Sequence, residues 1–313
     1  MTPAIALPLL STLALSLIGA RYARRPAPDV AVRLLTLASL VIALSTGFGL
    51  AVAGFLAVAH FPEVAAFGGW SVRDVPGGRP WELVLETVAG VLVVALAAAS
   101  VRHVIVAGRQ LAGAVALCRS LGDTGGILTV VDDDTFDTYA MPGLPGRIVA
   151  SRQMLQALPA AERRVLLAHE TAHLDHRHHL YTQLADLAAA ANPMLRPVAR
   201  AVRAGVERWA DEVAAAEVGD RRLAALSLAH AGLLRTAARQ RRAVVPPVAL
   251  AGTSTDLPDR VRALLVGAPR PHRLLLSSIV AVVVLALGGT VYIERHVETR
   301  FEQSQASVSI KRP

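Results

Sequence analysis

Residues 166–180 read "LLAHETAHLDHRHHL" and hold five of the ten histidines of the chain. His169 and His173 are four residues apart, and Glu170 follows the first of them. In a helix, residues at this spacing share one face, so two imidazoles can be directed at one cation. The neighbouring carboxylate is then placed to accept or donate a proton. This segment predicts a helix that carries a metal site.

The H-E-x-x-H pattern is typical of zinc hydrolases, but by itself it is only moderately specific. A hydrolytic zinc site uses three protein ligands and leaves one position open, so a third ligand is needed. His179 has the offset of H-x-x-G-x-x-H sites, but that arrangement needs glycine where this chain has His176. In one continuous helix over residues 160–180, His179 would lie about 15 Å from His169 along the axis.

Glu207 is the second candidate for the third ligand, in the segment "ERWAD" of a predicted helix over residues 199–218. Glu207 and Asp211 share a face, and Ala210 and Ala214 beside them are small enough for close packing against the histidine helix. Asp211 is then placed to hold the free N–H of a ligand imidazole. The alternative is an ordinary solvated helix face. We favour Glu207 over His179.

His176 is nearly in line with His169 on the predicted helix, so it is a candidate for contact with substrate. The sequence assigns no role to His178 or His179. The single cysteine, Cys118, excludes an internal disulfide and a cysteine-based zinc site.

The composition indicates a membrane protein, with 53% hydrophobic, 4% aromatic and 18% charged residues among 313. Four apolar stretches approach or exceed the length of about 20 residues that spans a bilayer. They predict transmembrane helices over residues 4–20, 34–59, 83–101 and 273–294. The net charge of +8 is best explained by attraction to anionic lipid headgroups, and no nucleic-acid partner is expected.

Arginines predict the orientation of these spans. None precedes the first apolar stretch, whereas Arg21, Arg24 and Arg25 follow it, which favours an anchor with an outside N-terminus over a cleaved signal peptide. The predicted organisation is three spans in residues 1–107, a cytoplasmic domain in 108–272, the fourth span, and an extracytoplasmic tail in 295–313. We therefore expect a multi-pass protein of the cell membrane.

The predicted cytoplasmic domain contains both strands and helices. Strands are predicted over residues 127–131, 136–141 and 147–150, followed by a short helix capped by Ser151. Gly219 is expected to end the helix that carries Glu207, and Asp220 to cap the next one. Residues 180–195 are apolar but interrupted by Asn192 and Pro193, so we expect them near the membrane face or against the core.

Taken in order, these motifs resemble the BlaR/MecR-type membrane zinc metallopeptidases. The resemblance is carried by H-E-x-x-H at 169–173, Asn-Pro at 192–193, E-x-x-x-D at 207–211, "YAMPG" at 139–143 and "GRIVAS" at 146–151. The HtpX-type membrane proteases share two of these elements. In those proteins two spans usually come first and further apolar helices follow the metal helix. Three predicted spans before the metal helix favour the BlaR/MecR type.

The resemblance implies a mainly α membrane protein with an α+β, zincin-like metalloprotease domain between the third and fourth spans. It implies one zinc ion held by His169, His173 and Glu207, with Glu170 as the general base. Asp211 would orient a ligand histidine. The substrate would be cytoplasmic protein, such as a transcriptional repressor or the chain itself. The sequence has no S-x-x-K serine after the fourth span, so β-lactam sensing is not expected.

Two other functions stay open at this point. One is an HtpX-type quality-control protease with broad substrates. The other is a membrane scaffold or receptor without turnover. Glu170 argues against the scaffold, because its loss would abolish the chemistry while sparing metal binding.

Overall fold

The fold is mainly helical in a computed structural model that describes residues 2–22, 27–75, 79–120, 126–132, 136–242, 257–267 and 273–310. The helices are α1 (Thr2–Tyr22), α2 (Pro28–Ala59), α3 (Pro62–Gly68), α4 (Pro80–Ser120), α5 (Arg152–Ala157), α6 (Ala160–Asp175), α7 (His178–Ala191), α8 (Arg196–Val218), α9 (Arg221–Arg242), α10 (Leu257–Val266) and α11 (Arg273–Ile310). The strands are β1 (Leu128–Val131), β2 (Thr138–Met141) and β3 (Arg147–Ser151).

Among the described residues, three helices are long and apolar enough to cross a membrane: Pro28–Ala59, Pro80–Ser120 and Leu276–Thr299. They correspond to the second, third and fourth predicted spans. The first predicted span lies in α1, whose apolar part, Leu7–Gly19, is shorter. α2 and α4 cross closely where Gly54 meets Gly90, since a Cβ atom on Gly54 would lie 2.5 Å from the Gly90 Cα atom.

The three strands form one small mixed sheet in the order β1-β3-β2. β1 pairs with β3 in parallel and β2 pairs with β3 in antiparallel fashion. All five residues of the central strand β3 are buried, whereas Tyr139 on the outer strand β2 is exposed. The predicted strands are confirmed with small changes at their ends. Ser151 caps α5 as expected, its hydroxyl accepting a hydrogen bond from the Met154 N–H.

The prediction of one helix over residues 160–180 is wrong. α6 ends at Asp175, and Arg177 adopts a left-handed conformation with φ of 51° before α7 begins. Right-handed helix cannot continue through such a residue. Neither glycine nor proline marks the break, so the sequence pattern did not reveal it. The turn lets α7 pack against α2 and α8 while α6 packs against α8 and α9.

The α7–α8 hairpin, which we define as residues 178–206, packs directly against α1 and against α2 and α11, two of the helices that are long and apolar enough to cross a membrane. α7 contributes Ala185, Ala188 and Ala189 to a buried cluster, and the first part of α8 contributes Val198 and Val202. The same cluster contains buried side chains of α1, α2 and α11: Leu15, Val32, Leu35, Ile42, Ile279 and Ala286. Residues 180–195 therefore lie against the core, one of the two expected locations.

The second half of α8 reaches the metal-binding motif. Ala210 and Ala214 are fully or almost fully buried, and a second cluster joins Ala214 of α8 to Val165 of α6 and Ala224 of α9. Gly219, with φ of 69°, ends α8 as predicted. The Asp220 carboxylate then accepts hydrogen bonds from the first N–H groups of α9. These contacts bring α6 and α8 together along the faces that carry the predicted ligands.

Candidate metal centre

His169 and His173 of α6 point their Nε2 atoms at each other and at Glu207 of α8. The two Nε2 atoms are 3.2 Å apart, and each lies 3.7 Å from a Glu207 carboxylate oxygen. One donor atom from each of the three residues lies within 4.8 Å of the others. The structure thus brings together the three residues that were predicted as ligands from two distant parts of the chain.

The donor set and its spacing fit zinc. Two nitrogen ligands at about 2.0–2.1 Å in a tetrahedral arrangement are about 3.3 Å apart, close to the separation of the two imidazole nitrogens. Two imidazoles and one carboxylate are also a ligand set of hydrolytic zinc sites that keep a fourth position open. His169, His173 and Glu207 would therefore hold the metal.

Asp211 and Arg260 support the ligands from the side away from the metal position. The Asp211 carboxylate lies 3.1 Å from His169 Nδ1, so it holds the nitrogen that does not face the other ligands. Arg260 of α10 donates two hydrogen bonds of 2.7 Å to Asp211 and lies 3.0 Å from the Glu207 carboxylate. Arg260 therefore fixes both carboxylates relative to each other. Carboxylates and cations around metal ligands commonly orient them in this way.

His178 supports the other histidine ligand. Its Nδ1 atom lies 3.1 Å from His173 Nδ1, and its ring is only 1% exposed. Burial, together with the neighbouring histidines, lowers the pKa of His178 to about 3, so it is neutral. A neutral His178 accepts a hydrogen bond from the Nδ1–H of His173, which leaves His173 Nε2 free to bind metal.

His176 lies away from the ligand atoms. It forms the end of α6 and stacks on Trp209, with the ring centroids 4.8 Å apart. Trp209 in turn contacts His178 and lies under the guanidinium of Arg33. The predicted contact of His176 with substrate stays a prediction.

Glu170 is buried at the edge of the site, with 6% of its surface exposed. Burial raises the pKa of its carboxyl group, while the nearby charges of His169 and Arg235 oppose that rise. Arg235 Nη2 lies 4.0 Å from a Glu170 oxygen and also donates to the Thr138 carbonyl. A carboxyl group with a raised pKa is suited to taking up and releasing a proton near neutral pH.

The two histidine ligands differ in how readily they accept a proton when no metal is bound. Burial disfavours the charged form of His169, but hydrogen bonds to Asp211 and Glu207 outweigh it and raise its pKa to about 9. Burial and the charge of His169 lower the pKa of His173 to about 4. The two carboxylates thus attract one positive charge to this position, which a metal ion would supply in place of the proton.

The ligands line a cavity of about 460 Å³ that is also bordered by the outer strand of the sheet. Its wall includes Thr138, Tyr139 and Ala140 of β2, and the Ala140 N–H donates a hydrogen bond to Glu170. Among the residues that the structure describes, β2 pairs only with β3. Its other side faces the cavity, so an extended peptide is able to lie between the strand and the ligands.

Arg260, Arg235 and His178 were not identified from the sequence as parts of the site. No motif marks Arg260 or Arg235, because each reaches the centre from a helix that follows the ligands. His178 carried a weak signal, since it lies in the histidine-rich segment. A helix break at Arg177 was needed to turn it towards His173, and the sequence did not predict that break.

Two histidines from one helix, a glutamate from a second helix and a buried glutamate beside them define a zinc metallopeptidase. Residues 123–190 match the model of Peptidase family M48. The matched residues are about a fifth of the chain and include β1, β2, β3 and the H-E-x-x-H helix. These residues are thus similar to the M48 metallopeptidases, and the ligand group is that of a zinc metallopeptidase with an H-E-x-x-H motif and a distal glutamate. No curated protein and no solved structure matches the chain.

Proposed function

We propose that this chain is a membrane zinc endopeptidase that hydrolyses cytoplasmic protein substrates at the membrane surface. The observation that carries the proposal is the meeting of His169, His173 and Glu207 in a cavity beside Glu170. A non-catalytic scaffold would not need a buried carboxyl group next to the ligands. Burial of Glu170 is costly for its charged form, and its position matches that of a proton carrier.

The residues of the chain divide the chemistry among them. When bound, zinc supplies polarisation of the scissile carbonyl group and a lowered pKa for the attacking water. Glu170 takes the proton of that water and delivers it to the leaving amine. Asp211 and His178 keep His169 and His173 in the orientation for metal binding.

An extended substrate would bind along β2. On the side of this strand away from β3, Arg235 already binds the Thr138 carbonyl and Glu170 the Ala140 N–H, so a peptide would pair with the main-chain groups that these contacts leave. Tyr139, half exposed on β2, would contact the substrate beside the scissile bond. Recognition of this kind favours segments of substrate that are already unfolded.

Removal of the metal tests the proposal. Purified full-length protein in lipid vesicles should cleave fluorescently labelled casein, and a zinc chelator should stop cleavage because the carbonyl group is no longer polarised. Adding zinc back in slight excess should restore the activity, measured as release of labelled peptides. Cleavage that continues at the same rate in chelator would contradict the proposal.

The orientation in the membrane is part of the proposal. We propose that α1 also lies in the bilayer as a first span, which puts residues 108–272 in the cytoplasm and both termini outside. Arg21, Arg24 and Arg25 after the first apolar stretch support this placement. A topology reporter fused after Gly108 should then be cytoplasmic, and one fused after Pro313 should be outside. Two reporters on the same side would contradict the four-span arrangement.

Two types of biological role are consistent with this chemistry. Three apolar helices ahead of the metal helix support a BlaR/MecR-like role, in which the substrate is a transcriptional repressor or the chain itself. The packing of the α7–α8 hairpin against the membrane helices instead favours an HtpX-like role in quality control, because apolar helices follow the metal helix in that type. A repressor encoded beside the gene, and cleaved by this protein, would decide for the first role.

A further inference from the structure

The tip of the α7–α8 hairpin is held between α1 and α2 by polar contacts. The side-chain amide of Asn192 donates hydrogen bonds to the hydroxyl oxygens of Thr12 and Thr46, at 3.0 and 3.4 Å. The Ser16 hydroxyl donates to the Met194 carbonyl at 2.6 Å. These residues are far apart in the sequence, and Asn192, Thr12 and Thr46 are all buried. The tip is therefore part of the helix bundle that contains the spans.

The contacted residues lie in the middle of their helices. At roughly 1.5 Å per residue, Thr12 is about 15 Å from either end of α1, and Thr46 is about 27 and 20 Å from the ends of α2. The hydrocarbon core of a bilayer is about 30 Å thick. A side chain bound to both threonines is thus near the centre of the core.

A contact between α4 and α7 gives an independent estimate of the depth of Asn192 in the bilayer. The apolar part of α4 is followed by Arg102, which marks the membrane surface on that helix. The next residue, His103, contacts the Gln183 carbonyl of α7 at 3.2 Å. Asn192 lies about 14 Å further along α7 than Gln183. This distance is close to half the thickness of the hydrocarbon core, about 15 Å.

We propose that the α7–α8 hairpin is a re-entrant membrane element that enters the bilayer from the side of the metal centre and reaches about its midplane. The partner of its outer face is lipid. The inference rests on the membrane placement of α1 and α2 given above, and it goes beyond that placement because α7 and α8 are not themselves spans.

The outer face of α7 suits contact with lipid. Leu180 and Leu184 on α7 and Met194 at the tip are 41%, 39% and 47% exposed, and they are the large apolar side chains that the hairpin leaves uncovered. From Leu180 to Asn192 the only charged residue is Asp186, which forms an ion pair with Arg203. A helix face of this composition would expose apolar surface to water if the hairpin lay outside the bilayer.

The backbone of the tip also suits a position inside the bilayer. Non-helical backbone is tolerated at that depth only where protein satisfies its polar groups. The Met194 N–H donates to the Asn192 side-chain oxygen, and the Met194 carbonyl accepts from Ser16. The Leu195 N–H donates to the Asn192 carbonyl. Protein groups thus form the hydrogen bonds that water would otherwise form with the backbone of the turn.

Arginines on α8 define the other side of the hairpin. Arg196, Arg200 and Arg203 are exposed and lie on the same face of α8 as Glu207. Charged side chains at membrane depth pair with one another or face water. Arg203 has Asp186 as its partner, and the face as a whole opens towards the metal centre. The proposal therefore requires this side of the hairpin to face water, while the α7 side meets lipid tails.

Spin labels at single cysteines test the depth. In the zinc-loaded full chain with Cys118→Ser, labels at Met194→Cys and Leu184→Cys are compared in vesicles of phosphatidylcholine and phosphatidylglycerol. Leu44→Cys, 74% exposed in the middle of α2, is the reference for the bilayer core, and Leu226→Cys on α9 is the reference for water. Accessibility to oxygen and to a water-soluble nickel complex gives the depth of each label.

The Met194 label should be as protected from nickel as the Leu44 label, with the Leu184 label at a shallower depth. A Met194 label that resembles Leu226, or that reports the depth of the headgroups, would overturn the proposal. Both exposed positions tolerate a label without disturbing the core. Because Leu184 follows Gln183 at the membrane surface, its label should report the depth of the headgroups, and a Leu184 label as open to nickel as the Leu226 label would also contradict the proposal. The measurement involves no proteolysis, and its outcome is therefore separate from that of the peptidase proposal.

Discussion

Replacing Glu170 with glutamine should reduce peptide hydrolysis by about 10²–10⁴-fold or more while zinc stays bound. Glutamine keeps the shape of the side chain and accepts the hydrogen bond from the Ala140 N–H, but it cannot take up a proton. Glu170 is not among the three residues whose donor atoms converge, so metal affinity should change little. Cleavage of casein and zinc content per chain, measured on the same preparation, check both parts.

Glu162→Gln is a matched control for this substitution. Glu162 lies on the same helix and contacts His230 rather than the metal group. This variant should cleave at nearly the wild-type rate. If Glu170→Gln also cleaved at the wild-type rate with zinc bound, another group would have to move the proton, and the proposed chemistry would be wrong.

Replacing Glu207 with alanine should lose the metal itself. Loss of a residue that only orients a ligand typically costs about 10–100-fold in metal affinity, so loss of a ligand should cost more. The fold should persist, because Arg260 keeps both of its hydrogen bonds to Asp211 when the Glu207 side chain is absent. Zinc content after dialysis against a weak chelator, together with the circular dichroism spectrum, measures the two effects separately.

His179→Ala and Glu217→Ala are the controls for this prediction. His179 lies at the wall of the cavity but outside the group of converging donors, and Glu217 is an exposed carboxylate on the same helix as Glu207. Both variants should retain zinc. Loss of zinc in His179→Ala, with retention in Glu207→Ala, would move the third ligand to the histidine-rich segment.

The sequence predicted the metal group because its signals are local. The spacing of His169 and His173, and that of Glu207 and Asp211, each follow from the geometry of one helix. Ala210 and Ala214 indicated that the two helices approach closely, and the structure buries both. Helix ends marked by Gly219, Asp220 and Ser151 were predicted for the same reason, since each end depends on a few neighbouring residues.

Features that depend on distant contacts could not be predicted in this way. The left-handed turn at Arg177 carries no glycine, and it is compensated by the packing of α7 on α2 and α8. Arg260 meets Asp211 across 49 residues of sequence, and nothing near Arg260 indicates a partner. The sequence predicted two locations for residues 180–195, near the membrane face or against the core. A short apolar helix with few charged residues suits both.

The shared cluster beneath α8 has a consequence for the chain as a folding unit. The face of α8 opposite Glu207 places Val198 and Val202 against Val32 and Leu35 of α2, so one helix is core for the membrane bundle and wall for the metal cavity. A fragment limited to residues 108–272 would turn these valines towards water and lose the partners that position the helix. The peptidase domain is thus not a separate folding unit attached to the membrane helices, because α8 belongs to the cores of both. The position of α8, and with it that of Glu207, depends on its packing against α2.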